Sequence, residues 1–176
     1  MFFGTVYSQQ VPGKEQSQSI LISNGTIHVG NGDLLENAFV GFDKGKINYV
    51  STEQPDMDYE INIDAPKKHI YPGFIALNTS LGLGEIDAVR ATIDEDEIGD
   101  FLPHVRSIIA YNAESKVVET LRMNGVLLAQ IAPNGGIISG SSSVVQLDAW
   151  NWEDAVICYD QGIHLNWPSP YSRSGY

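Results

Sequence analysis

The sequence predicts an α/β protein in two stretches, a small all-strand unit followed by alternating strand and helix, and three observations carry that expectation. Between Ser19 and Asp64, short runs of β-branched and aromatic residues are separated by Asn-Gly, Gly-Asn-Gly-Asp and Lys-Gly turn chemistry, the pattern of hairpins. Between 112 and 124, apolar residues recur at helical spacing, with Asn112 before them as an N-cap and Gly125 just beyond them. Apolar runs at 74–77 and 126–131 flank that helix, and strand, helix, strand in this order makes a right-handed parallel crossover the default.

Composition limits what such a chain can do. With 43% apolar and 18% charged residues among 176, it has the balance of a folded protein. Its 22 acidic residues outnumber 10 basic ones for a net charge of −12, which repels phosphate backbones, so no nucleic acid is expected as a partner. No apolar run reaches the roughly 18 residues of a membrane span. Cys158 is the single cysteine, which excludes a disulfide framework and a cysteine-based zinc site.

In chain order, 1–10 reads as the tail of a secretory leader, because Val6-x-Ser8 before Gln9 has the small-residue spacing of a cleavage site. A periplasmic or secreted location follows as the expectation, with 1–18 a truncated leader and linker. Ile20-Leu21-Ile22 and Ile27-His28-Val29 are expected to form a hairpin around Ser23-Asn24-Gly25, and 38–42 and 47–50 a second one around Asp43-Lys44-Gly45-Lys46. Ile61 to Asp64 is a third strand-like piece. His28 and His69 read as isolated, satisfied or solvent-facing histidines.

Pro72 and Gly73 then open a buried strand, Phe74-Ile75-Ala76-Leu77, that ends on polar side chains. Asn78 and Ser80 stand two apart, which in a strand points both to one side as a pair of ligating groups. The run Asp94-Glu95-Asp96-Glu97 reads as a solvated acidic face; it fails as a calcium loop because Ile98 sits where an oxygen ligand belongs. Arg106 could pair with that run. The Gly-rich loops at 135–136 and 140–143 lack the Gly-Lys-Ser/Thr of a phosphate cradle and the Gly-x-Ser-x-Gly of a serine hydrolase. Asn151 caps a short helix with Glu153 and Asp154 in its first turn.

The stretch from Tyr71 to Gly82 resembles the first barrel strand of the amidohydrolase superfamily, where Pro-Gly-Phe-Ile precedes Asp-x-His-x-His and the two histidines bind a catalytic divalent metal. Here Ala76 replaces the aspartate, and Asn78 and Ser80 replace the histidines. Leu102-Pro103-His104-Val105-Arg106, leading to Asn112, resembles the loop after that strand in periplasmic, imidazolonepropionase-like members, and Asn124-Gly125-Val126 through Leu147-Asp148 resembles the second barrel unit. The resemblance runs in the family's order from about Ser19 to Trp167. It implies a small β-sandwich-like unit at 19–70, followed at 71–176 by the first units of an incomplete (β/α)8 TIM barrel with parallel strands at 72–79, 126–131 and 143–147. For the complete protein it implies hydrolysis of amide or cyclic amide C–N bonds in a small molecule, with a divalent metal such as zinc as cofactor. His104 and Arg106 would face the substrate, and His164 is a further candidate.

A metal hydrolase needs several imidazole or carboxylate ligands brought together, and Asn78 and Ser80 offer only neutral oxygens, which are poor zinc donors. The expectation is therefore that this chain holds no metal at that position and is an inactive N-terminal fragment. The alternative is a binding protein that keeps the scaffold without the metal. An incomplete barrel also leaves apolar surface uncovered, which favours self-association.

Overall fold

A computed structural model of the chain describes residues 11–86 and 88–167; the expected leader at 1–10 lies outside them. The chain divides into two compact units, one from Gly13 to Pro72 and one containing Gly73 onward.

The first unit is a five-stranded sheet organised around β1 (Ile20–His28). β2 (Leu34–Asp43) pairs antiparallel with β1, and β3 (Lys46–Ser51) antiparallel with β2 across a turn where Lys44 and Gly45 take φ of 51° and 71°. Two consecutive residues at positive φ make the tight turn that matches strand twist, so this hairpin forms where the Lys-Gly signal put it. The other expected hairpin does not form. Ser23, Asn24 and Gly25 stay inside β1 as bulges, with Asn24 at φ 61°, and the turn to β2 falls at 29–33 instead. An Asn-Gly pair supplies positive φ for a bulge as readily as for a turn. β4 (Ile61–Asp64) and β5 (His69–Ile70) then pair parallel with the first and second halves of β1. The described strands of this unit form one sheet, not the two facing layers expected. Its core is Ile27, Ala38 and Val40, with Ile22, Leu35, Phe42 and Ile70 packed against them.

The second unit holds a four-stranded sheet in the order β6-β7-β8-β9. β6 (Phe74–Thr79) pairs parallel with β7 (Val126–Ile131), as the crossover argument requires. Between them lie a long loop, the short helix α1 (Ser107–Ala110) and α2 (Lys116–Met123). α2 begins later than Asn112 predicts: Asn112 accepts from Glu114 N at 3.0 Å in a preceding turn, and Ser115 caps the helix by accepting from Val117 N at 3.2 Å. Val118 and Leu121 of α2 pack on Ala129, Ile131 and Val145 of the sheet, while Val117 faces outward.

The expected third parallel strand is a correction. β8 (Ile138–Gln146) runs antiparallel to β7, and β9 (Val156–Leu165), which follows the short helix α3 (Trp152–Ala155), runs antiparallel to β8. The β7–β8 connection, 132–137, holds Pro133, Gly135 and Gly136 and is too short for a parallel crossover, which needs about a dozen residues. The described strands thus contain one parallel strand–helix–strand unit extended by an antiparallel meander. Nor is β6 buried as expected. Among the described residues it is an edge strand paired with β7 alone, and Phe74, Ile75 and Leu77 on it are exposed.

Candidate functional site

The second unit has a cleft of about 610 Å³ past the carboxyl end of β7, lined by residues from 94 to 110 and by Pro133. Carboxyl ends of parallel strands are where loops converge and ligands bind in α/β folds. The loop that forms its wall is fixed by isolated bridges of Asp96 to Asn134 in the β7–β8 connection, and of Phe101 to Ile138 and Arg106 to Ser141 in β8. Ser107 Oγ donates to Ile131 O at 2.9 Å in the interior, tying the wall to the end of β7.

Glycines make that close approach feasible. A Cβ on Gly140, at φ 126°, would lie 2.4 Å from Val105 O, and one on Gly136, at φ 58°, would lie 2.7 Å from Gly99 O. These glycines raised and failed a phosphate-cradle reading in the sequence; their physical role is to let two backbones touch.

Arg106 lines the cleft, yet its guanidinium is committed. Its Nε donates to Asp160 Oδ1 at 3.0 Å, its Nη2 lies 2.9 Å from Asp160 Oδ2, and Ser141 Oγ donates to the same carboxylate at 2.8 Å. The hydrogen bond from Arg106, then that from Ser141, holds Asp160 below its ordinary carboxylate range, and the Asp160 hydrogen bond raises Arg106. Asp160 reaches them from a bulge in β9 where its φ is 49°, which re-aims the side chain off the regular ladder. The partner of the acidic run is Arg90, whose Nη2 lies 3.5 Å from Asp96.

The other sequence-derived residues are dispersed. His104 is exposed and lines the cleft among Asp94, Glu95, Asp96 and Glu97, so a ligand there meets one imidazole in a negative surround. His164 stands opposite Gly140 in β9 and is not among the lining residues. Asn78 is exposed with φ 50° at a bulge where Ala76 and Thr79 pair with Ala129 and Ile131, and Ser80 lies past the end of β6. The bulge interrupts the alternation that would aim both side chains one way. Sequence reasoning missed Asp160 and met Ser141 only within the serine-rich run it rejected as a hydrolase motif. It also read His28 and His69 as isolated, whereas His28 Nε2 lies 3.0 Å from His69 Nδ1 in the first unit.

No family model matches the chain. Over 152 residues it is 25% identical to an N-acetylglucosamine-6-phosphate deacetylase of Bacillus subtilis, covering 76% of this chain and 38% of that protein. The crystal structure of an amidohydrolase from Thermotoga maritima superposes with a TM-score of 0.75 at 24% identity, covering 83% of this chain and 38% of the other. The resemblance is to the amidohydrolase superfamily. The chain spans 38% of the length of each of these two amidohydrolase-like proteins. A prolidase solved with N-methylphosphonate-L-proline aligns over only 39% of this chain, with 24% identity and a TM-score of 0.34.

The amidohydrolase metal motif can be tested against the residues at its position. Asn78 and Ser80 are neutral oxygen donors on an interrupted strand, and among the described residues no three His, Cys, Asp or Glu side chains group as a ligand cluster. That donor set does not fit a tightly held zinc ion.

Proposed function

We propose that this chain is the N-terminal portion of an exported amidohydrolase-like protein whose complete form hydrolyses amide or cyclic amide C–N bonds in a small molecule. On this reading β6, α2 and β7 are the opening unit of a (β/α)8 barrel, and β8 and β9 are an antiparallel excursion from it. The observation that carries the reading is the collinear similarity to the deacetylase, whose name describes the breaking of an amide C–N bond. The cleft past the carboxyl end of β7 supports it by position. The acidic stretch in the cleft wall repels phosphate, so an unphosphorylated amide is the substrate class we assign. Export rests on the Val6-x-Ser8 spacing.

Catalysis is not assigned to this chain by itself. The neutral donors at Asn78 and Ser80 favour a second reading, a protein that keeps the scaffold for ligand binding and has lost hydrolysis. One experiment separates the two: hydrolysis of N-acetylglucosamine, its 6-phosphate and a cyclic amide by the longest natural form of the protein, with this chain as control. Turnover by the long form alone, preferring an unphosphorylated amide, is the expected result. Thermal stabilisation by such ligands without turnover would instead establish the binding protein.

A further inference from the structure

His28 ends β1 and His69 begins β5, two strands that run parallel with Thr26 opposite His69. This juxtaposition puts His28 Nε2 3.0 Å from His69 Nδ1. The Tyr71 ring stacks on His28 with centroids 4.0 Å apart and an interplanar angle of 18°. His69 is exposed and His28 half-buried, so water reaches the pair.

We propose that His28 and His69 form a two-imidazole binding site for a divalent transition metal of the nickel, copper and zinc class. Two nitrogens bound to one metal ion at about 2.0–2.1 Å and at right angles are about 2.9 Å apart. The two rings therefore already span neighbouring positions of a coordination shell. In the metal-free pair one ring donates its N–H and the other accepts. Metal uptake replaces that bridge: the donor ring moves its proton to its other nitrogen, and both rings turn their lone pairs toward the ion, with no net proton lost from neutral imidazoles. The Tyr71 face restricts the His28 ring beforehand and so reduces the ordering cost of binding. With no third His, Cys, Asp or Glu grouped with the pair among the described residues, water fills the remaining positions, and exchangeable binding follows. Carboxylate and thioether sites elsewhere compete poorly for such ions, because imidazole suits them better than oxygen donors do.

The test is a nickel(II) titration of tag-free protein near neutral pH, followed by calorimetry and by paramagnetic line broadening in amide spectra. All proteins carry Cys158→Ser, because the exposed thiol is an alternative ligand. One ion per chain is expected, with His28→Gln and His69→Gln each weakening binding about tenfold or more through loss of chelation. Broadening should centre on 28, 69 and 71, and acid should release the ion as protons compete for the same nitrogens. Binding no tighter than in a variant carrying both His28→Gln and His69→Gln, or broadening centred on the acidic stretch at 94–97, would overturn the proposal. Neither side chain is buried, and far-ultraviolet spectra of the variants serve as the folding control.

Discussion

Tyr111 is 5% exposed in the core of the second unit, and its hydroxyl has no hydrogen-bond partner there. The ring occupies space that opens only because position 82 is glycine: a Cβ on Gly82 would lie 2.6 Å from it. A buried donor left unmade costs roughly 1–3 kcal/mol, so Tyr111→Phe should raise stability by about 1 kcal/mol, read as a higher denaturation midpoint at unchanged slope. Burial also pushes the Tyr111 phenol up to about 12. With the folded value above the unfolded one near 10, the folded chain holds the proton longer, so its stability is full below pH 10 and falls as pH rises toward 12. That alkaline slope should flatten in Tyr111→Phe. Asp160 has the opposite sign. Its depressed carboxyl adds stability above the ordinary carboxylate range and loses it as acid protonates the group, and Asp160→Asn should remove that acid-side dependence. With both side chains 41% exposed, water and salt screen the pair, and the effect should shrink in high salt. None of these partnerships was legible beforehand. Asp160 lies 54 residues from Arg106, and periodicity reports which residues face a core, never which two polar groups meet across it.

At the scale of elements, the hairpin of β2 and β3, the cap of α3 and the parallel β6–β7 pair were legible because each is written in local chemistry: Lys44-Gly45, Asn151, and apolar runs on either side of a helix; the cap of α2 was expected at Asn112 and falls instead at Ser115. The direction of β8 was not legible: a strand expected at 143–147 leaves room for a crossover, and only the observed start at Ile138 shortens the connection to 132–137. Nor was the bulge at Asn24, since the same dipeptide serves a turn or a bulge and only the pairing of β1 with three other strands decides between them. The loop wall of the cleft depends on glycine contacts that are testable. Gly140→Ala combines a positive φ with a Cβ 2.4 Å from Val105 O and should cost about 2 kcal/mol or more. Gly84→Ala, with nothing within 4 Å of the added carbon and no positive φ, should be close to neutral, and paired chemical denaturation curves measure both.

For the molecule as a whole, the decisive surface is the β6 edge of the second sheet, open among the described residues. Phe74, Ile75 and Leu77 of β6 are 62, 55 and 71% exposed, and their strand offers unpaired backbone groups beside them. An apolar strand with an open edge is a template for pairing with another chain. The isolated chain should therefore bind a hydrophobic dye and sediment above its 19.3 kDa monomer mass, and Leu77→Lys should reduce both. A dye-silent monomer with a sharp melt would show that the edge is harmless as it stands.

The sheet of the first unit carries a consequence for time as well as for space. Within this sheet β1 precedes its partners in the chain; β2, on one side, follows at once, but the neighbour on the other side arrives late: Ser19 and Glu60, 41 residues apart, each donate a backbone N–H to the other's side chain. Closing that span costs chain entropy before any contact repays it. The β2–β3 hairpin should accordingly gain amide protection early during refolding, with β1 following only when β4 and β5 reach it. Pulse-labelled exchange showing 61–70 protected ahead of 38–50 would reverse that order.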